Sequence, residues 1–237
     1  MPLYSNEEYT RIVRPLPAFV RRDIFSIPVI EKQEIDFSRL RNGMSLINPN
    51  NASPADRLAP QKIVHAFRYD DELVRFFNHP QSFLHKVARY YAVCSFDFSM
   101  TPAMDFKQVL SAVYDNRWIG AYLQAHGKRV IATVGWIGPE YYDICFAGLV
   151  DGSAFIISTL GVHNTDSHQL FMGGYSELRR RFPSSKLICL GDKVTGMDSD
   201  ICFVPFEESF GNADRYNDYW QPSMINWDMS LALGGDC

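Results

Sequence analysis

Asp97 is the residue in this sequence that packing explains least well. It lies near the end of residues 90–100, YYAVCSFDFSM, an apolar stretch with the pattern of a buried strand. The two-residue period of a strand places Ser95 and Asp97 on one face and Cys94, Phe96 and Phe98 on the other. A buried carboxylate must be hydrogen-bonded, ion-paired, metal-bound or protonated, because burial without partners is costly. A general base or ligand-binding role is one interpretation, and a cap or an arginine partner is the alternative.

Polar residues also follow the other predicted strands. Asp70 and Asp71 come after the first regular strand, KIVHAFRY, where either side chain is expected to cap the next helix. In sheets of parallel strands, binding sites form at the carboxyl ends of the strands. The ligand-binding candidates at those ends are Ser99, Trp136, Ser158, Thr159, Gly161 and Asp192.

Three further candidates for catalysis lie outside the strands. Asn116 falls on the apolar stripe of a long predicted helix, where its amide needs a partner. Arg117 could pair with Asp97 or with an acidic substrate, and a helix-to-sheet hydrogen bond is an equally good interpretation. Glu140 follows Trp136 in GPEYYD. With Asp97, it could carry out acid–base chemistry if their environments separate the two pKa values.

The sequence indicates no particular metal or cofactor. His163, Asp166 and His168 in HNTDSH are plausible ligand types, but such spacing arises easily in a polar loop, and we expect a solvated loop there. The chain lacks a G-x-x-x-x-G-K-[ST] loop, a G-x-G-x-x-G turn, a G-x-S-x-G elbow and an H-E-x-x-H helix. Ordinary P-loop, dinucleotide-binding, serine-hydrolase and zinc-protease sites are therefore not indicated.

The elements that must position these residues predict an α/β fold. Residues 130–135, 155–158 and 187–190 are almost continuously apolar, which is typical of parallel strands covered by helices on both faces. Including two weak candidates, IFSIPVI and GMSLIN, gives about eight strands. We therefore predict a mainly parallel sheet with flanking helices, in a distorted (β/α) barrel-like arrangement. An open doubly wound sheet is the alternative.

Composition and order along the chain complete the prediction. Residues 1–61 are expected to form an irregular extension packed on the main domain, 62–206 the α/β core, and 207–237 an aromatic C-terminal tail. Hydrophobic residues make up 46% of the 237 and the net charge is −4, which indicates a globular chain without a protein-wide basic footprint. No apolar run is long enough to cross a membrane, so we expect a cytoplasmic protein whose cysteines are mostly buried.

Several phrases, in order, resemble a known family. These are FDFSM, DNRWIGAYLQAHGKRVIATVGW, CFAGL and ISTLGV. The similarity runs from about residue 62 to 205. They resemble domain of unknown function 4417, an uncharacterised bacterial and bacteriophage family. The sequence departs from that pattern in SFDFS and VIATVGW, where the family tends to carry a proline. The matching positions are Asp97, Ser99, Asn116, Arg117, Gly127, Trp136, Gly148, Ser158, Thr159 and Gly161.

The resemblance implies a phage or mobile-element origin, hence the host cytoplasm, but no reaction. Residue types favour a hydrolase or nucleotide-processing enzyme with its site around Asp97. The alternative is a non-catalytic binding protein that sequesters a small molecule or inhibits a host factor. The expected partner is accordingly a small-molecule ligand or a host protein. Nucleic acid is disfavoured by the net charge, although a local basic patch stays open, and the sequence does not indicate the oligomeric state.

Overall fold

The computed structural model describes residues 15–41 and 44–205. Seven strands form one sheet: β1 (Ser45–Ile47), β2 (Lys62–Val64), β3 (Ala92–Cys94), β4 (Val130–Thr133), β5 (Ala154–Ser158), β6 (Lys186–Leu190) and β7 (Cys202–Val204). Among the described residues, six α-helices accompany them: α1 (Phe37–Arg41), α2 (Asp70–Asn78), α3 (Pro80–Lys86), α4 (Phe106–Ala125), α5 (Tyr142–Cys145) and α6 (Thr165–Arg181). Short 3-10 turns occupy Ala59–Gln61 and Pro139–Tyr141.

The sheet confirms the predicted barrel-like α/β fold. All neighbouring strands are parallel, and their order across the sheet is the order along the chain, from β1 to β7. A doubly wound sheet reverses its strand order at a switch point, and this order contains no reversal, so that alternative is wrong. The sheet curls until it is nearly closed into a barrel. Helix α1, directly before β1, also contacts β7 at the other edge.

Two apolar layers explain the continuously apolar strands. One side chain set fills the inside of the curled sheet: Leu46, Ile63, Cys94, Ile131, Ile156, Ile188, Leu190 and Val204. The intervening residues, such as Val93 and Phe155, pack outward against the helices. Each central strand is thus buried on both faces, as the sequence predicts.

One of the two weak strand candidates is correct. GMSLIN contains β1, which pairs with β2 from Ser45 onward, so the sheet begins before residue 62. IFSIPVI is not a strand and contributes only an isolated antiparallel bridge between Arg22 and Pro28. The reason is local, since the Asp23 carboxylate accepts hydrogen bonds from the backbone N–H groups of Phe25 and Ile27, both at 2.9 Å. This turn competes with extended pairing.

The long helix α4 follows the prediction closely. Asp105 and Gln108 form a reciprocal capping box at its start, which satisfies free backbone N–H groups. It ends where Gly127 adopts a φ of 78°, the left-handed conformation usual after helices. The predicted inward stripe is buried: Val109, Val113, Asn116, Gly120 and Leu123. A Cβ on Gly120 would lie only 2.3 Å from the Ile30 side chain, so the segment around residue 30 approaches the helix closely.

Three local predictions are wrong. Tyr69, not an aspartate, is the N-cap of α2, and Asp70 instead bonds Ser99. HNTDSH is not a loop throughout, because Asn164 caps α6 in a second capping box and the helix begins at Thr165. Finally, β3 ends at Cys94. The two-residue alternation stops with the strand ladder, so Phe96 and Phe98 pack toward the helices and not inside with Cys94.

The cysteine prediction is confirmed for the residues that the structure describes. Cys94, Cys145 and Cys189 are buried free thiols, and Cys202 is partly exposed. Burial raises the pKa of the Cys189 thiol to about 12, so it is a poor nucleophile. Within the described ranges, no helix is long and apolar enough to cross a membrane. Cys237 and the predicted tail, 207–237, lie outside the described residues.

Candidate functional site

Asp97 lies three residues beyond β3, at the carboxyl edge of the sheet. Its backbone N–H donates to the carbonyl of Ala66 at 3.4 Å, which ties it to the chain leaving β2. The side chain borders a cleft of about 10 Å³, together with Asn116, Arg117 and Gly135. This space holds roughly one water-sized sphere. Among residues 15–41 and 44–205, the Asp97 carboxyl group has no hydrogen-bond or ion-pair partner.

The surroundings of Asp97 favour its neutral form. Burial of the carboxyl group, and secondarily the negative charge of Asp70, raise its pKa from 3.8 to about 7. Asp70 begins α2, where the helix dipole favours negative charge. Its Oδ1 accepts hydrogen bonds from both the backbone N–H and the hydroxyl of Ser99, each at 3.0 Å. The Asp70 carboxylate, hydrogen-bonded to Ser99, therefore lies beside a carboxyl group whose pKa is raised.

Asp97 should make stability depend on pH. Because its pKa is higher in the folded protein, the folded state binds the proton more tightly than the unfolded chain does. The resulting stabilisation is complete below about pH 4 and lost as the pH rises to about 7. Compared with Asp97→Asn, the wild type should lose on the order of 1–2 kcal/mol across this window, less than the full shift implies, since the side chain is partly exposed.

Urea unfolding of both proteins at about pH 4.5 and about pH 8 measures this difference. Asp71→Asn is the matched control, because Asp71 is an exposed carboxylate in the same helical turn as Asp70. It should show the wild-type pH dependence. If Asp97→Asn kept the wild-type pH dependence as well, Asp97 would not be the group that titrates.

A buried hydrogen-bond network supports the back of the cleft. The Asn116 amide donates to the carbonyl of Thr133 at 3.1 Å and accepts from the Ser95 hydroxyl at 2.8 Å. Ser95 Oγ in turn accepts from the backbone N–H of Thr133 at 2.9 Å. The predicted helix-to-sheet hydrogen bond of Asn116 is thus present. It joins α4 to the ends of β3 and β4.

Arg117 is almost fully enclosed, with 2% of its surface exposed. Its guanidinium donates to the carbonyls of Ala147 (2.9 Å), Cys145 (2.8 Å) and Thr133 (3.0 Å). Burial lowers its pKa to about 10. The Arg117 guanidinium therefore borders the Asp97 cleft, but it donates hydrogen bonds to backbone carbonyls and not to the Asp97 carboxylate. In this arrangement it holds the α5 segment against α4 and β4.

Trp136 and Glu140 lie on the segment that leaves β4. The indole of Trp136 packs over α6, with its ring centre 5.2 Å from that of Phe171. A Cβ on Gly174 would collide with it, so this contact depends on glycine. Glu140 is exposed on the turn Pro139–Tyr141. The Tyr141 hydroxyl donates to the carbonyl of Met104 at 3.2 Å, which places this turn beside the loop that follows Asp97.

Ser158, Thr159, Gly161 and Asp192 form a second group at the same edge of the sheet. The Ser158 hydroxyl donates to the carbonyl of Leu190 at 3.0 Å, and the Thr159 hydroxyl to that of Asp192 at 2.8 Å. These bonds join the ends of β5 and β6, and Asp192 leaves its carboxylate exposed. No hydrogen bond between described residues connects this group with the Asp97 group.

Sequence reasoning missed four contributors to this edge. Ser95 and Thr133 carry the network behind Asp97, and Gly135 leaves space in front of it, since a Cβ there would lie 3.7 Å from Asp97 Oδ1. His65 is fully buried, and its Nδ1 accepts from the backbone N–H of Phe67 at 3.3 Å. Strand alternation with the inward-facing Ile63 could have located His65.

The part of the chain that the structure describes contains no group of three or more His, Cys, Asp or Glu side chains able to hold a metal ion. Within HNTDSH, the His168 ring nitrogen Nε2 lies 3.0 Å from the carbonyl of Thr195. Asp166 lies in the first turn of α6. His168 and Asp166 therefore do not belong to a group of metal ligands among the described residues.

Comparison with known proteins confirms the family resemblance and extends it toward the N-terminus. The chain is 34% identical over 139 residues to the Gene 1 protein of Mycobacterium phage L5, which covers 58% of this chain and 61% of that protein. It is 32% identical over 129 residues to the Gene 1 protein of Mycobacterium phage D29, covering 54% and 48%. The matches thus span less than two thirds of either relative. No solved structure matches the chain significantly. The family model matches residues 23–207, so the chain belongs to the family described as Domain of unknown function (DUF4417).

Proposed function

We propose that this member of a phage-associated family is an enzyme, a hydrolase or nucleotide-processing protein, in which Asp97 transfers a proton to or from the substrate. The observation that carries this proposal is the placement of the partnerless Asp97 carboxyl beside the Asp70 carboxylate, at the carboxyl edge of a parallel sheet. Enzymes with curled parallel sheets use this edge for catalysis. The proposal is specific about the residue and the edge, and it leaves the substrate to experiment.

The environment of Asp97 suits general acid–base catalysis. A proton-transfer group is most effective when its pKa lies near the working pH, and burial with a neighbouring charge raises the pKa of Asp97 to about 7. A solvated aspartate would be almost fully ionised at that pH and would donate no proton. Here the carboxyl can donate a proton and take it back.

Asp70 and Ser99 act through Asp97 in this proposal. The two hydrogen bonds from Ser99 fix the Asp70 carboxylate, so that its charge stays next to Asp97. The negative charge of Asp70 adds to the effect of burial in raising the pKa of Asp97. Asp70 and Ser99 are therefore positioning residues, and Asp97 is the group that meets the substrate.

The substrate would lie across the carboxyl ends of the strands. Glu140 is exposed on the turn beside the Asp97 loop, and Ser158, Thr159 and Asp192 mark the ends of β5 and β6 at the same edge. They offer the hydroxyl and carboxylate groups that a polar ligand needs. Asn116 and Arg117 form the back of the site. Both donate to the Thr133 carbonyl and so hold the end of β4 beside Asp97.

Thermal-shift measurements on wild type, Asp97→Asn and Asp71→Asn test the proposal. The panel consists of nucleotides, sugars, oligonucleotides and divalent metal ions. A ligand of the site should raise the melting temperature of wild type and Asp71→Asn by binding the folded state, and raise it less in Asp97→Asn. Turnover of that ligand should then fall roughly 10²–10⁴-fold in Asp97→Asn, the usual contribution of a proton-transfer group. Equal turnover in all three proteins would contradict the proposal.

A non-catalytic binding protein is the second candidate, favoured by the size of the cleft. About 10 Å³ beside Asp97 admits no substrate unless the surrounding loops move apart. The ligand could be a small molecule or a host protein. Sequestration or inhibition would be supported over catalysis if the ligand stabilised the wild type through Asp97 and remained chemically unchanged after long incubation.

A further inference from the structure

A second concave site lies at the opposite, amino edge of the sheet. It has a volume of about 390 Å³ and is bordered by the residues that lead into β2, β3 and β4. Such a volume falls within the range of ordinary small-ligand pockets. Four of its bordering residues are cationic: Arg39, Arg89, Lys128 and Arg129. We call these four residues and the space between them the basic cavity.

The positive charges of the basic cavity have no carboxylate partners in the part of the chain that the structure describes. Within the described ranges, none of the four forms an ion pair with a carboxylate. Asp36 lies nearby, where the Ser38 hydroxyl chiefly lowers the pKa of its carboxyl group and the positive charge of Arg39 contributes less. The Asp36 carboxylate accepts a hydrogen bond from the Ser38 hydroxyl and forms no ion pair with the Arg39 guanidinium. Burial, and secondarily the nearby positive charge of Arg129, lower the pKa of Lys128. An anion in the cavity would relieve this repulsion.

A second basic cluster in this chain, by contrast, is paired with carboxylates. Arg179, Arg180 and Arg181, at the end of α6, are each paired with carboxylates. Their partners include Asp198, at 2.8 Å, and Glu177, at 2.7 Å. The chain carries a net charge of −4, so acidic side chains are plentiful. Their absence from the basic cavity therefore sets it apart.

The cationic groups are held in place without an anion. The Arg129 and Arg39 guanidinium groups lie 4.4 and 4.9 Å from the centre of the Tyr91 ring, as in cation–π contacts. Arg129 also donates to the carbonyl of Tyr91 at 3.1 Å. Lys128 Nζ donates to the carbonyl of Ala88 at 2.7 Å. Arg39 and Arg129 are exposed, and both keep further N–H donors for a ligand.

We propose that the basic cavity binds the polyphosphate group of a small phosphorylated ligand of nucleotide size. Guanidinium groups donate paired hydrogen bonds to phosphate oxygens, and the lysine supplies a compact charge beside them. A volume of about 390 Å³ is the size of a site for one small ligand. The site is separate from Asp97, because it lies at the other edge of the sheet. It supplies a binding function that does not depend on the proposed catalysis.

Calorimetric titration of the full chain with inorganic triphosphate, ATP and a single-stranded oligonucleotide tests this inference. The variant Arg39→Gln/Arg129→Gln removes two exposed charges from the cavity. Arg180→Gln/Lys193→Gln removes two exposed charges elsewhere and is the matched control. At about 150 mM salt we expect triphosphate and ATP to bind wild type and control alike, and at least tenfold more weakly to the cavity variant.

Two results would overturn the inference. Equal weakening in both variants would mean that general charge attracts the ligand and not the basic cavity. Binding of the oligonucleotide without binding of triphosphate or ATP would replace the small ligand by a nucleic-acid backbone. Asp97→Asn should bind triphosphate as wild type does. The binding test therefore stays informative even if Asp97 proves not to be catalytic.

Discussion

Arg117→Met is expected to lower the free energy of unfolding by about 3 kcal/mol or more. The methionine fills similar space but removes the guanidinium donors from the carbonyls of Ala147 and Cys145, inside a region that water does not reach. A buried acceptor left without its donor costs roughly 1–3 kcal/mol. For a domain of this size, such a loss lowers the melting temperature by roughly 10 °C. Circular dichroism on heating measures the change.

Arg180→Met is the matched control for this experiment. Arg180 is exposed on α6 and pairs with Glu177 at the surface, so its loss should change stability by less than about 0.5 kcal/mol. If Arg117→Met melted within about two degrees of the wild type, the carbonyl contacts would carry no net stability. The Arg117 charge would then have to be explained by a bound ligand.

Gly148→Ala should be nearly as damaging, for a different reason. Gly148 has a φ of 70°, a conformation that costs other residues about 1–2 kcal/mol. An added Cβ would lie 2.5 Å from the carbonyl oxygen of Pro28 and 3.0 Å from the Ile27 side chain. The first of these is backbone and cannot rotate away. We therefore expect a loss of about 3 kcal/mol in total, measured by urea unfolding.

Gly127→Ala separates the two causes. Gly127 has a similar φ of 78°, but a Cβ there meets nothing within 4 Å. It should show only the conformational cost, about 1 kcal/mol. The difference between the two variants then measures how tightly the segment near Pro28 is docked on the barrel. Equal losses in Gly148→Ala and Gly127→Ala would mean that the segment near Pro28 moves aside without a cost in free energy.

The sequence predicts the fold well where its signals are long. Strands β4 to β6 are continuously apolar and α4 begins with a capping box, so hydrophobic pattern and local hydrogen bonds agree. The signals fail where elements are short. With only three residues in β3, the alternation could not be extended to Asp97. The edge of the sheet at which Asp97 lies was predictable, because sheet connectivity alone determines it.

The remaining features of the two sites carry no local signal. Arg117 binds backbone carbonyls, which every residue has, so its partners cannot be read from side-chain types. The basic cavity draws on Arg39, Arg89 and Arg129, which are far apart in the chain. They meet only because strand order follows chain order. The role of Asp70 was likewise hidden, since a capping role explained an aspartate at a helix start equally well.

The strand order also has a consequence for synthesis of the protein. Because every strand pairs with the one made just before it, each emerging strand can dock on an edge that already exists, and the sheet can grow from β1 toward β7 as the ribosome proceeds. Contacts between distant segments form later. The Cys145 and Ala147 carbonyls that bind Arg117 lie 28 and 30 positions after it. These hydrogen bonds can therefore form only once residue 147 has left the exit tunnel.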